Sequence, residues 1–257
     1  MPDQTASPHA LTQLTRLTQL AGDEGSARVL VVGPSLGTGV ADLWLACAHL
    51  LAADGWQVVG WDLPGHGAAR PTAAAFTIDD LAGAVRDGAA RVAAGRPVAY
   101  AGVSLGGAVG FVLAADPGPF GAVVTLASAP VIGTPEGWRD RAAFVRRAGT
   151  SAMVAGSSER WFAPGFLDRA PSAGGGLLMA LREVDDESYA LACEALAGYD
   201  ARSRPPAVPL LTVGGSEDTV VTRDRVGVVL DGVGHLPPIE DPAATAAVIR
   251  RLLEEQP

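Results

Sequence analysis

Ser104 lies in Gly102-Val103-Ser104-Leu105-Gly106, a G-x-S-x-G pattern that ends one apolar run, Val98 to Val103, and opens a small-residue stretch able to wind as a helix. A strand, a sharp turn and a helix with one serine between them form a nucleophile elbow. The turn strains the serine's backbone, so glycine is required wherever a side chain would strike the neighbouring strand or helix. The hydroxyl is thereby held at the tip of a sheet, and the helix N-terminus aims its N–H groups at negative charge developing beside it. Such a serine is suited to attack on an acyl carbon. No charge occurs between Arg96 and Asp116, yet the glycines, the serine and the Asp-Pro-Gly-Pro that follows fit a buried strand and its helix better than a membrane span.

A serine hydroxyl is a poor nucleophile until a base takes its proton and a carboxylate orients that base. In sheets that carry this elbow the three groups run serine, acid, histidine along the chain. His235, in Gly232-Val233-Gly234-His235-Leu236-Pro237, is the one histidine of four that follows Ser104. The acid is read as Asp218, in the loop Gly214-Gly215-Ser216-Glu217-Asp218 after a strand-like run. Its neighbour Glu217 and, more weakly, Asp231 in the next strand compete for that role. Two N–H donors complete the constellation: Leu105, directly after the nucleophile, and Leu36, in the loop Gly33-Pro34-Ser35-Leu36-Gly37-Thr38-Gly39, which also reads as a tight turn. His66, in Gly65-His66-Gly67, precedes Ser104 and reads as part of a structured turn rather than as a base.

These groups need a sheet to hold them. Strand candidates are Arg28 to Gly33, Gln57 to Asp62, Val98 to Val103, Ala122 to Ala127 and Val208 to Gly214, each a near-continuous apolar run of the kind a sheet covered on both faces requires. Arg16 to Leu20 reads as a short edge strand, and residues 1 to 10 as disordered. Val40 to Asp54 sets Leu43, Cys47, Leu50 and Leu51 on one helical face, with Gly55 to close it. Ile78 to Ala94 does the same with Leu81, Val85 and Val92, capped by Thr77 and stopped by Gly95. The alternation predicts a mostly parallel sheet with right-handed crossovers. It fails between Pro130 and Pro206, where Thr134-Pro135-Glu136 and Asp185-Asp186-Glu187 open successive helices. That insertion predicts a helical cap over the sheet's carboxyl edge, where open α/β sheets bind ligands. The chain is read as a single domain over 1–257, with a core of about 26–130 and 207–257 and a cap of about 131–206.

A chain of 257 residues can bury a sizeable core, and 48% hydrophobic with 18% charged residues fits a soluble globular protein. The net charge of -9 disfavours nucleic acid and anionic membrane surfaces as partners, so any anionic substrate has to be held by local arginines. Cys47 and Cys193 lie in apolar helix-like stretches with no C-x-x-C pair and read as reduced core residues. The N-terminus lacks the basic start and apolar block of a signal peptide, and together these absences predict a cytoplasmic protein.

Taken together, the pieces resemble the α/β-hydrolase superfamily. The cap segments Val131-Ile132-Gly133-Thr134-Pro135-Glu136-Gly137-Trp138, Glu159-Arg160-Trp161-Phe162 and Tyr189-Ala190-Leu191-Ala192-Cys193-Glu194-Ala195-Leu196, with Ser35-Leu36-Gly37-Thr38, resemble the 3-oxoadipate enol-lactonases of the aromatic-catabolic β-ketoadipate pathway, over most of the chain from about residue 28. The resemblance implies an α/β-hydrolase fold with a helical cap inserted after the sixth strand. It further implies hydrolysis of 3-oxoadipate enol-lactone to 3-oxoadipate through an acyl-enzyme on Ser104, with no metal or cofactor. The substrate would be a small anionic lactone whose enclosed carboxylate needs a partner. Arg141 and Arg160 stand where the family's cap motifs carry arginine, a solvated cap arginine being the competing reading for each, and Trp138 and Trp161 are pocket-wall candidates. A generic carboxylesterase of the same fold and a catalytically impaired ligand-binding relative are the alternatives. Serine at position 104 argues against haloalkane dehalogenases and epoxide hydrolases, which need aspartate there.

One departure from the family's pattern concerns its usual crossover helix between acid and histidine. Here 17 residues lead from Asp218 to His235, six of them taken by the strand-like Arg225 to Leu230, so before that strand Thr219 to Asp224 alone remain to cross back. Six extended residues reach about 20 Å, enough to return along a five-residue strand of about 17 Å but not to wind a helix as well. The crossover helix before the last strand is therefore expected to be missing. The sheet's edge is then uncovered, covered by a partner subunit, or its last strand is displaced.

Overall fold

The computed structural model describes residues 15–254, and the expectation of disorder over residues 1 to 10 lies outside them. Seven strands form one sheet in the order β1-β3-β2-β4-β5-β6-β7. They are β1 Thr18–Ala21, β2 Arg28–Gly33, β3 Trp56–Gly60, β4 Val98–Val103, β5 Phe120–Leu126, β6 Leu210–Gly215 and β7 Val228–Leu230. Every neighbouring pair is parallel except β1, which runs antiparallel to β3. β3 and β4 are buried at every position and β2 at all but Arg28, which is why these runs read as continuously apolar rather than alternating. From β2 the chain steps outward to β3, whereas from β4 it steps the other way to β5. The loops after β2 and β4 therefore diverge, leaving a crevice at their carboxyl ends.

Helices α1 Val40–Ala52, α2 Ile78–Ala93 and α3 Leu105–Ala115 follow β2, β3 and β4. α1 buries Val40, Leu43, Cys47 and Leu51. Leu50, assigned to the same face from the sequence, is 37% exposed, because the buried stripe centres on Val40, Cys47 and Leu51 and Leu50 falls just past its edge. α2 opens on a capping box in which Thr77 Oγ1 accepts the Asp80 N–H at 3.1 Å and the Asp80 carboxylate accepts the Thr77 N–H at 2.9 Å. Leu105 to Ala114 are all buried, as a helix without a polar face must be. Both cysteines are buried and unpaired, and burial pushes each thiol up to about 12, which keeps them inert.

The cap lies between β5 and β6. It comprises α4 Pro135–Ala148, a 3-10 turn Thr150–Met153, α5 Val154–Trp161, α6 Phe166–Arg169, α7 Pro171–Arg182 and α8 Asp186–Ala197. Thr134 caps α4 by accepting the Gly137 N–H, and Asp185 caps α8 by accepting that of Ser188. Arg146 on α4 ties the two helices together through Glu187 at 2.7 Å and Glu194 at 2.5 Å on α8. The cap follows the fifth strand of the described residues, which corrects the expected sixth.

Between β6 and β7 run twelve residues with a single 3-10 turn, Arg223–Arg225, and no α-helix, as the spacing predicts. The last strand is shorter than the expected Arg225 to Leu230. β7 pairs only with Val213, Gly214 and Gly215 at the far end of β6, so the chain need not travel back along the whole strand. Twelve residues suffice for a parallel return of that length. Val229 on this edge is 44% exposed. The chain then closes with α9 Pro237–Glu240 and α10 Pro242–Glu254. Among the described residues no helix is long and apolar enough to cross a membrane.

Candidate active site

Ser104 stands between β4 and α3 with φ +53° and ψ -109°, a conformation a non-glycine residue adopts only at a cost of about 1–3 kcal/mol. Neighbouring segments hold it there. The Ser104 N–H donates to the Leu126 carbonyl at 2.8 Å, Ser128 Oγ donates to the Ser104 carbonyl at 2.9 Å, and the Gly106 N–H donates to the Pro34 carbonyl at 2.9 Å. The flanking glycines are required for the predicted reason. A Cβ on Gly106 would lie 2.6 Å from the Pro34 carbonyl oxygen, and one on Gly102 would collide with the Gly106 carbonyl.

His235 enters from the loop between β7 and α9, and Asp218 from the loop after β6. His235 Nδ1 donates to Asp218 Oδ2 at 2.9 Å and Oδ1 at 3.1 Å, while Oδ1 also accepts the N–H groups of Val220 at 2.8 Å and Val221 at 3.1 Å. An ionised carboxylate only accepts, so Nδ1 carries the proton and Nε2 presents its lone pair. Glu217 and Asp231, the competing acids, are both exposed, and Asp231 lies in the turn after β7 rather than within the strand. His66 is buried in the predicted turn, its Nδ1 2.9 Å from the Pro64 carbonyl, and burial lowers its pKa to about 4.

Ser104 and His235 open onto one cavity of about 210 Å³, whose walls include Ser35, Leu36, Trp138, Arg141, Arg160 and Trp161. All four cap residues named from the sequence thus reach the serine's cavity. That volume is below the roughly 300–1,000 Å³ of pockets for drug-sized ligands, so a small molecule is what fits. The N–H groups of Leu36 and of Leu105, the first residue of α3, have no hydrogen-bond acceptor among the described residues. A larger cleft of about 1250 Å³ beside β1 is lined by no serine, cysteine or histidine, so the chemistry selects the smaller cavity.

Arg141 lies over the Trp138 ring, 4.7 Å from its centroid, and Trp138 Nε1 donates to the Ile132 carbonyl at 2.5 Å. Neither Arg141 nor Arg160 takes part in the ion pairs among the described residues, in contrast to Arg146 on α4. Burial, and next the charge of Arg141, push the Arg160 guanidinium below its ordinary value. Two adjacent cations without a carboxylate partner make this wall of the cavity electropositive. Among the described residues no group of three or more His, Cys, Asp or Glu side chains is arranged to hold a metal ion.

The sequence model described as the alpha/beta hydrolase family matches residues 29–248. The chain belongs to that family. Among curated relatives, this hydrolase is 31% identical to 3-oxoadipate enol-lactonase 2 of Acinetobacter baylyi over 196 residues, which are 75% of this chain and 72% of that one. It is 29% identical to 3-oxoadipate enol-lactonase 1 of the same organism over 213 residues, 81% of this chain and 77% of the relative. Among solved structures, the enol-lactonase from Burkholderia xenovorans LB400 superposes with a TM-score of 0.85 at 26% identity, covering 93% of this chain and 96% of that one.

Some of the hydrolase's cavity wall lay beyond sequence reasoning. Tyr189 and Ser157 line the cavity, and burial pushes the Tyr189 hydroxyl up to about 12. Tyr189 stands in one of the segments that carry the family resemblance, but its type and spacing fit a core position equally well. Val220 reaches the cavity from the loop of the acid, two residues past Asp218.

Proposed function

We propose that this hydrolase opens the ring of 3-oxoadipate enol-lactone to give 3-oxoadipate. The observation that carries the reading is the pair Arg141 and Arg160, without carboxylate partners, on the wall of the cavity that holds Ser104 and His235. A small lactone bearing a carboxymethyl group presents its carboxylate to that wall, where a guanidinium fork can take it bidentately. Similarity to the two Acinetobacter 3-oxoadipate enol-lactonases and to the Burkholderia enol-lactonase supports the same choice.

In this reading His235 Nε2 takes the Ser104 proton as Oγ attacks the lactone carbonyl, and Asp218 steadies the imidazolium. The N–H groups of Leu36 and Leu105 receive the oxyanion. Collapse of the tetrahedral intermediate breaks the ring C–O bond, and the enolate that leaves is protonated by His235 and tautomerises to the ketone. Water, activated by the same imidazole, then releases the acyl group from Ser104. No step calls for a metal or cofactor. Buried, unpaired thiols favour a cytoplasmic setting, where a β-ketoadipate pathway enzyme would work.

A carboxylesterase acting on neutral esters is the second reading, favoured by the apolar Ile132, Trp138, Trp161 and Val220 around the cavity. A panel of the enol-lactone against neutral aryl esters separates the two. Preference in kcat/KM for the anionic lactone is expected, and preference for the neutral esters would transfer the assignment to the esterase.

A further inference from the structure

Glu240, at the end of α9, uses its carboxylate on three backbone N–H groups from two parts of the chain. Oε2 accepts from Ala163 at 2.7 Å and Gly234 at 3.1 Å, and Oε1 accepts from Leu236 at 3.1 Å. Ala163 belongs to the cap, directly after α5, whereas Gly234 and Leu236 flank His235. A second bond runs alongside: the His235 N–H donates to the Trp161 carbonyl at 3.0 Å. The packing leaves no slack, since a Cβ on Gly234 would lie 2.6 Å from the Ala163 nitrogen and 2.9 Å from Glu240 Oε1. On its other side the histidine loop is pinned to the acid's loop by the Glu217 N–H, which donates to the Val233 carbonyl at 2.9 Å.

We propose that Glu240 is a positioning residue for the base: its carboxylate splices the cap segment 161–163 to the loop 234–236 and so fixes the His235 ring over the serine's cavity. The inference rests on the reading of His235 as base. Arg160 and Trp161, which wall the cavity, are continuous with the spliced segment, so the cap residues that would grip a substrate and the imidazole that would act on it share one rigid joint. Burial raises the Glu240 carboxyl above its usual range, and the three N–H bonds pull against that rise. Alanine would leave three buried N–H groups without an acceptor.

The test compares wild type with E240A and E240Q in the full chain. Glutamine can keep its carbonyl on Ala163 and Gly234 but turns an NH2 toward Leu236, so it rescues in part. Two readouts are taken: kcat and KM on a neutral aryl ester, and the low-field proton NMR signal of His235 Nδ1–H on Asp218. Expected for E240A is a fall in kcat of about a hundredfold with KM within about twofold, and a shifted or broadened Nδ1 proton, E240Q lying between it and wild type. An Nδ1 signal and a kcat unchanged in both variants overturn the proposal. If E240A does not fold, E240Q decides alone by the same criteria. A wild type without esterase or lactonase turnover contradicts the hydrolytic reading, while the Nδ1 signal still reports on Glu240.

Discussion

Arg141 and Arg160 carry the specificity in this account, and their substitution reads it directly. Loss of a charge-assisted hydrogen bond costs about 1.5–3 kcal/mol, so Arg141→Ala or Arg160→Ala should raise KM for the enol-lactone by about 10- to 100-fold. Steady-state kinetics on a neutral aryl ester should change little in the same variants. An equal loss on both substrates would mean the arginines only build the cap. His66 makes a prediction about pH. Unfolded it titrates near 6.5 and folded only near 4, so between those values the unfolded chain binds the extra proton. The stability it confers is present above about pH 6.5 and drains away toward pH 4. The protein should be about 2 kcal/mol less stable at pH 5 than at pH 7 from this group alone. Denaturant midpoints of His66→Gln, which can still donate to the Pro64 carbonyl, should show a flatter pH dependence, and parallel curves would contradict the assignment.

At the scale of elements, the elbow is a joint between three strands rather than a property of β4 alone. Gly106→Ala must displace the Pro34 carbonyl, and with it the loop that holds Leu36. We expect its Tm to fall by about 4 °C or more, and labelling of Ser104 by a fluorophosphonate to slow. An unchanged Tm would show that the loop gives way freely. The elbow was legible in the sequence because its glycines are demanded by backbone collisions that any chain folding this way must avoid. β2 and β4 were legible for a related reason, since burial on both faces leaves an uninterrupted apolar run. The extent of β7 was not: pairing with three residues of β6 is a matter of register, and Arg225 to Leu230 carries no mark of where pairing begins. Glu240 was hidden for a different reason, because its partners are backbone N–H groups distant in the chain, which no side-chain pattern records.

For the whole molecule, the sheet, cap and terminal helices bring to one cavity residues separated by up to 200 positions, from Ser35 to His235. The order serine, acid, histidine and the failure of alternation after Pro130 announced that convergence, and the cap's cavity-facing residues were legible only as candidates. On a chain of net charge -9, two arginines without an ion-pair partner on the wall of the cavity that holds Ser104 point to an anionic ligand there. The central claim is that this cavity hydrolyses an anionic lactone through Ser104. Its most direct test is turnover of 3-oxoadipate enol-lactone by the purified protein beside Ser104→Ala, with both shown to be folded. The account predicts conversion to 3-oxoadipate by the wild type and a loss of about 10⁴-fold or more in kcat in the variant. Equal turnover by the two proteins, or none by the wild type, would contradict it.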